Sequence, residues 1–223
     1  MIRAVLLDAL GTLVELPAPW PPLVAGLAAR GVAVTEEEAR AALLAEMAYY
    51  RAHHDEATGP ARLDALRDRC TEVLRAALPE QARDVRDLRG ALLAALRFRP
   101  YPEVPGVLEE LGEMGVARVV VSNWDVSLRD VLDRTGLAPL VDGVVISAEV
   151  GAAKPDAAIF ERALTVAGVG ADEAVHVGDT PEVDVAGALA AGLHAIHLDR
   201  SGASAEAMAS LTGLPGFVRS SIP

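Results

Sequence analysis

From Ala117 to Leu198, short apolar runs alternate with helical patterns, and that alternation most limits how the chain can fold. The runs are Ala117–Val121 (ARVVV), Gly143–Ile146 (GVVI), Ala174–Val177 (AVHV) and His194–Leu198 (HAIHL). A fifth, Ile2–Leu7 (IRAVLL), stands near the N-terminus. Continuous rather than alternating hydrophobicity marks strands covered on both faces. Helix-period segments lie between the runs. Pro105 opens one that carries Val107, Leu108 and Leu111 and stops at Gly115; Leu128, Val131 and Leu132 mark a second before Gly136; Ile159, Phe160, Ala163 and Leu164 mark a third before Gly168. Strands alternating with helices build a parallel sheet through right-handed crossovers.

The stretch from 15 to 99 breaks this rhythm and contains no convincing strand. Thr35-x-x-Glu38 reads as a capping box opening a helix that runs through Met47. Amphipathic segments follow near Arg62–Leu78 and Asp84–Arg97. Pro17, Pro19, Pro21 and Pro22 suggest a stiff lead-in, and Pro100 and Pro102 an exit. Hydrophobic residues make up 52% of the chain and aromatics only 4%, with Ala and Leu dominant, which favours helices. The expected class is α/β: a Rossmann-like parallel-sheet core formed by residues 1–14 and 100–223, with an all-helical cap, 15–99, inserted after the first strand.

Ligands in open parallel sheets bind beyond the carboxyl ends of the strands. There the first strand delivers Asp8, then Gly11-Thr12; the second, Ser122-Asn123; the connection after the third, Lys154-Pro155; the fourth, Gly178-Asp179, with Asp184 five residues on. Alone, each has a plain structural explanation: an Asx turn, a helix cap, a surface lysine, a tight turn. Together, in order and at successive strand ends, they describe a site. If the first and fourth strands are neighbours, Asp8 and Asp179 leave adjacent strands. Carboxylates ~4 Å apart repel by roughly 4 kcal/mol at an effective dielectric near 20, so such a pair shares a proton or takes a cation. An oxygen-only site suits Mg2+. The histidines offer no rival cluster, since His194 and His197 fall on opposite faces of one strand.

Charge excludes other classes. The net charge of −12 repels phosphodiester backbones, so nucleic acid is not an expected partner. No run of 18 apolar residues appears, so no membrane partner is expected, and the first apolar run breaks at Asp8 rather than continuing as a signal peptide. The single Cys70 cannot form an internal disulfide, consistent with a reducing, cytoplasmic setting. Lys154 is the only lysine among 20 basic residues. A compact ammonium used once in an arginine-rich chain points to chemistry that guanidinium does not supply.

Asp8-Ala-Leu-Gly-Thr-Leu13, Val121-Ser-Asn-Trp-Asp125, Gly151-Ala-Ala-Lys-Pro-Asp156 and His176-Val-Gly-Asp179-xxxx-Asp184 together resemble the four signature motifs of the haloacid dehalogenase-like hydrolases. The resemblance covers residues 1–14 and about 100–200, and the helical insert sits where one subclass carries its cap. It implies that Asp8 attacks the substrate and forms a covalent aspartyl intermediate. It implies phosphate binding by Thr12, Ser122 and Asn123, charge neutralisation by Lys154, and Mg2+ held by Asp8, Asp179 and the backbone carbonyl of Leu10. Asp184 would orient the metal's shell or Lys154.

The departure is Leu10. In the family's phosphatases that position is a second aspartate, which protonates the leaving oxygen and then activates water. Leucine cannot move a proton, and such help is typically worth ~10²–10⁴-fold. Three readings follow: a Mg2+-dependent phosphomonoester hydrolase of a small anionic molecule, weakened or helped by a donor elsewhere; a 2-haloacid dehalogenase, whose halide leaves without a proton but which needs no metal; or a non-catalytic binding protein that keeps the fold. The intact Gly178-Asp179-xxxx-Asp184 argues against the second. The insert is expected to shield the intermediate and read the substrate, with Arg51 its best contact among Trp20, Tyr49, Tyr50, Arg51, His53 and His54; Trp124 is expected to line the cleft. A monomer or homodimer is expected.

Overall fold

The computed structural model describes residues 1–221. The chain forms two compact units, one of Met1–Glu15 with Arg99–Pro223 and one of Leu16–Phe98. In chain order the strands are β1 (Ala4–Leu7), β2 (Val14–Glu15), β3 (Arg99–Pro100), β4 (Ala117–Ser122), β5 (Gly143–Ile146), β6 (Ala174–Gly178) and β7 (His194–His197). All five runs expected as strands are strands, and they pair as one parallel sheet in the order β5-β4-β1-β6-β7.

Continuous apolar sequence becomes a sheet covered on both faces. All four residues of β1 are buried. Ala4 and Leu6 join Val119, Val121 and Val145 in one core layer, closed by Ile159, Phe160 and Ala163 of the helix Ala157–Ala167. Val5 and Leu7, equally buried, face the opposite way by the two-residue period of a strand. The helix Ala157–Ala167 begins at Asp156, whose side chain accepts from the Ala158 N–H, and ends at Gly168 in the left-handed region.

β1 lies at the centre. The chain builds outward through β4 and β5, then returns to place β6 on the other side of β1. The switch point therefore falls between β1 and β6, and all carboxyl ends share one edge. β2 and β3 form a two-residue antiparallel ribbon in which Val14 pairs with Pro100 and Glu15 with Arg99. The ribbon holds together the places where the chain leaves this unit and comes back. It was not foreseen, because two residues carry no periodicity.

The helical unit contains no strand among the described residues. The capping box at Thr35 is formed, and its helix runs past Met47 as Glu36–His53. It packs against Pro60–Ala77, while Trp20–Ala28 packs against Leu88–Ala95. Two local expectations are corrected. The proline-rich lead-in contains a helix, because Pro21 and Pro22 sit in its first turn, where no backbone N–H is needed. The helix expected near Asp84–Arg97 is shorter, Leu88–Ala95: Asp87 is left-handed (φ 54°) and caps its start by accepting from Gly90 N–H.

One ion pair braces the sheet's side. Arg118 donates to Asp142 through Nε (2.9 Å) and Nη2 (2.8 Å), and its Nη1 reaches the carbonyl of Leu108 (3.0 Å). The hydrogen bond from Arg118 leads the causes that hold the Asp142 carboxyl below its ordinary pKa. A carboxyl depressed in the folded state adds stability above its unfolded pKa of ~3.9 and loses it as pH falls through the folded value. Asp142 is 46% exposed, so the gain is at most about 1 kcal/mol, or ~2–4 °C in Tm. Asp142→Asn should lower Tm by that amount at pH 7, and thermal melts should show the gap closing below about pH 4.

Candidate active site

Four segments meet at the carboxyl edge. Asp8 follows β1, Ser122 ends β4, Lys154 lies beyond β5, and Asp179 follows β6. Lys154 is the link. Its Nζ lies 2.7 Å from Asp8 Oδ1 and 2.6 Å from Asp184 Oδ1, and its side chain is only 2% exposed. The Ser122 hydroxyl also points at Asp8 Oδ1, at 3.4 Å.

The Lys154 backbone is held as firmly as its ammonium. Asn123 Nδ2 donates to the Lys154 carbonyl (2.8 Å), and the Lys154 N–H donates to Asn123 Oδ1 (2.7 Å). The side chain expected to bind phosphate is thus engaged with the lysine's own peptide. Thr12 is fully buried, and its hydroxyl has no hydrogen-bond partner among the described residues. Trp124, expected in a cleft, is buried, and its backbone N–H and carbonyl both bond the Ser147 hydroxyl. Ser122 alone of the three expected phosphate ligands directs its side chain at Asp8.

Asp184 is saturated on the protein side. Oδ1 accepts from Lys154 and lies 3.0 Å from His176 Nε2, while Oδ2 accepts from the Thr180 N–H (3.0 Å). Burial opposes its ionisation, but the His176 hydrogen bond and the Lys154 charge hold its carboxyl far below the usual carboxylate range. Burial leads in pushing the His176 pKa down, against the pull of the Asp184 carboxylate that its Nε2 faces. Sequence reasoning assigned His176 no role. The available signal was a histidine inside an otherwise apolar central strand, where an imidazole needs a partner.

Asp8 and Asp179 behave differently. Burial leads in raising the Asp8 carboxyl, with the charges of Asp184 and Asp179 adding to it against the pull of Lys154. Burial also leads at Asp179, with Asp184 adding to it. Burial works against the Lys154 ammonium too, but Asp8 and Asp184 outweigh it and raise its pKa. The three acids present ligand oxygens within 4.8 Å of one another. At that spacing each pair repels by about 3.5 kcal/mol at an effective dielectric near 20, and one ammonium does not neutralise three carboxylates.

The donor set fits a hard divalent cation. Asp184 has contacts on both oxygens, whereas at Asp8 and Asp179 only Oδ1 is engaged, so these two have the freer oxygens for an ion. The turn after Asp8 makes room for the second of them. Gly11 is left-handed (φ +88°), and a Cβ there would lie 2.0 Å from Asp179 Oδ2. Leu10, between these residues, is 45% exposed, an apolar side chain at the surface beside an acidic cluster.

In the helical unit, Arg51 is exposed on the helix Glu36–His53. Tyr49 stacks on His53 at 4.0 Å, Tyr50 is tilted against His54 at 5.8 Å, and Trp20 lies under Arg40 at 5.6 Å. These contacts are internal to that unit.

Comparison with known proteins gives the arrangement a family. The model of the haloacid dehalogenase-like hydrolases matches residues 2–192. Over 143 residues the chain is 37% identical to a phosphoserine phosphatase of Thermus thermophilus, covering 64% of this chain and 56% of that protein. Over 104 residues it is 39% identical to a glyceraldehyde 3-phosphate phosphatase of Methanopyrus kandleri, covering 46% of this chain and 45% of the relative. The chain thus spans about half the length of the curated relatives it matches. A 2-haloacid dehalogenase from Pseudomonas syringae pv. Tomato DC3000 superposes with a TM-score of 0.68 at 26% identity, over 99% of both chains. A HAD phosphatase from Thermococcus onnurineus, at 24% identity and a TM-score of 0.67 over 97% of this chain and 98% of that one, shares the fold. Since the family model takes in sequence from both compact units, this chain belongs to the haloacid dehalogenase-like hydrolases.

Proposed function

We propose that this protein hydrolyses a small anionic phosphomonoester through an aspartyl-phosphate on Asp8, with Mg2+ as cofactor. The observation that carries the reading is the buried ammonium of Lys154 bridging Asp8 and Asp184 beside Asp179. An anionic substrate needs local positive charge in a chain of net charge −12, and at this edge it would come from Lys154 together with a bound Mg2+. The two relatives described above are phosphatases by name, which agrees with the reading.

In this mechanism an Asp8 carboxylate oxygen attacks phosphorus, and the bond to the ester oxygen breaks. Water then attacks the aspartyl-phosphate, releasing inorganic phosphate and restoring Asp8. Lys154 offsets the charge that Asp8 shares with the phosphoryl group, and the Ser122 hydroxyl orients its oxygens. Asn123 fixes the Lys154 backbone, the buried and unpartnered Thr12 hydroxyl is a candidate contact for phosphate, and Asp184, held by His176, keeps the ammonium in place. Asp8, Asp179 and the Leu10 carbonyl would hold Mg2+, which when bound supplies positive charge against the phosphoryl oxygens. Leu10 carries no proton, so the departing oxygen takes one from water. The helical insert acts in this reading as a cap that selects substrate, with Arg51 its candidate for a second anionic group. The setting we assign is the cytoplasm: the lone Cys70 rules out an internal disulfide, and no helix among the described residues is long and apolar enough to cross a membrane.

A second reading, haloacid dehalogenase, is favoured by Leu10 and by the likeness to the Pseudomonas enzyme. A panel of phosphomonoesters and L-2-chloropropionate, assayed with Mg2+ and with EDTA, separates the two. Phosphate release that EDTA and Asp8→Asn both abolish is expected; chloride release indifferent to EDTA would replace the first reading with the second.

Leu10→Asp should raise phosphatase kcat by ~10²-fold or more, the lower end of the ~10²–10⁴ range of general acid–base help. The gain should be largest for substrates with poorly leaving alcohols, and equal rates across a series of aryl and alkyl phosphates would rule out proton donation as the deficit. Lys154→Arg tests the lone lysine. A planar guanidinium does not fit where one nitrogen must meet two carboxylates at 2.7 and 2.6 Å. Turnover should fall at least ~100-fold, about 2.7 kcal/mol in the barrier, while circular dichroism stays that of wild type.

A further inference from the structure

We propose that Arg200 is a positioning residue for the chemistry at Asp8: it pins the backbone of the loop after the nucleophile to the segment by which the chain returns from the helical insert. The kinetic part of this proposal rests on the reading of Asp8 as the reacting group. The structural part does not.

Arg200 lies just beyond β7, and its side chain is 17% exposed. Its Nε donates to the Gly11 carbonyl at 3.0 Å and its Nη2 to the Thr12 carbonyl at 2.6 Å. Its Nη1 donates to Glu103 Oε1 at 2.7 Å, and its guanidinium centre lies 3.4 Å from the centroid of the Tyr101 ring. Glu103 is itself steadied by the Ser210 hydroxyl at 3.3 Å. One side chain thus joins three segments far apart in sequence, all within the sheet-bearing unit. Only a planar fork of fixed donors can do so; an ammonium could satisfy one or two of these oxygens but not stack on the ring as well.

The choice of carbonyls matters. The loop from Ala9 to Val14 is closed by its own bonds, Gly11 N–H to Val14 O (2.8 Å), Leu13 N–H to Ala9 O (2.8 Å) and Val14 N–H to Ala9 O (2.9 Å). Tyr101 N–H joins it to the returning segment through Leu13 O (3.1 Å). Arg200 fixes the orientation of the peptides on both sides of Thr12. These are the peptides next to Gly11, whose bare Cα makes room for the Asp179 carboxylate. Rotation of the Gly11 or Thr12 carbonyl would shift Gly11 against Asp179 and change how Asp8 and Asp179 face one another. Glu103 balances the guanidinium's charge, so the clamp adds no net positive charge to compete with Lys154.

The test uses the full chain as wild type, Arg200→Gln, Arg200→Lys and Glu103→Gln. Hydrogen exchange is followed by mass spectrometry, and hydrolysis of an aryl phosphate with Mg2+ is followed by steady-state kinetics. In Arg200→Gln the peptides holding Gly11, Leu13, Val14 and Tyr101 should exchange at least ~10-fold faster, while those of β4 and β6 stay as in wild type. kcat should fall ~10–100-fold with KM changed less than ~3-fold, as misplacement of reacting groups predicts. Arg200→Lys should recover part of both effects, and Glu103→Gln should show a weaker form of each. Unchanged protection at the loop overturns the proposal. So does equal acceleration in every strand, which would make Arg200 a general stabiliser. If Arg200→Gln does not fold, Arg200→Lys and Glu103→Gln decide by the same exchange pattern. If wild type turns over no phosphate ester, the reading of Asp8 fails, and the exchange pattern still upholds or overturns the hold of Arg200 on the loop.

Discussion

An ammonium with almost no access to water must be surrounded by charge that repays its lost hydration. Lys154 meets that demand with two carboxylates, and much of the rest of the sheet edge follows from it. Asp184 can serve only because His176 and the Thr180 N–H hold it. Gly178 must lack a side chain, since a Cβ there would lie 2.2 Å from the Asp184 carboxyl carbon. Asn123 clamps the lysine's peptide. A buried charge has made a polar partner, His176, necessary within β6, beside the wholly apolar β1.

The same bridge explains the division of labour among the acids. Asp184 spends both oxygens on the protein, whereas Asp8 and Asp179 keep carboxyls whose ionisation is disfavoured in the absence of a further cation. That asymmetry agrees with the expectation that set Asp184 apart from Asp8 and Asp179, and it arises from partners on three separate segments. Leu10, two residues after Asp8, is 45% exposed, so the core does not depend on it. Its consequence is chemical: a carboxyl that could carry a proton is replaced by a hydrocarbon.

Legibility varied with the length of the signal. The five strands, the helix at Ala157–Ala167 and the capping box at Thr35 each rest on local patterns of several residues, and all were readable. The Val14–Glu15 and Arg99–Pro100 ribbon was not, because its two pairs join residues 84 and 86 apart. The late start of the helix Leu88–Ala95 escaped because a single left-handed residue, Asp87, leaves the apolar period intact. Asp8, Lys154, Asp179 and Asp184 were visible as strand-end residues, whereas His176 and Arg200 were not, since their meaning depends on partners 8 and 188 or more residues away.

From the sequence alone came the class of fold, the edge at which chemistry gathers, and the absence of a proton-bearing side chain at residue 10. Those follow from periodicity and residue type, which are local and survive without coordinates. Only the tertiary structure decided that β1 and β6 are neighbours, that Lys154 bridges Asp8 and Asp184, that Asn123 holds the lysine's peptide, and that Arg200 fastens the loop. Each of these depends on which distant segments the packing of the sheet brings within hydrogen-bond range. No spacing along a chain encodes that distance.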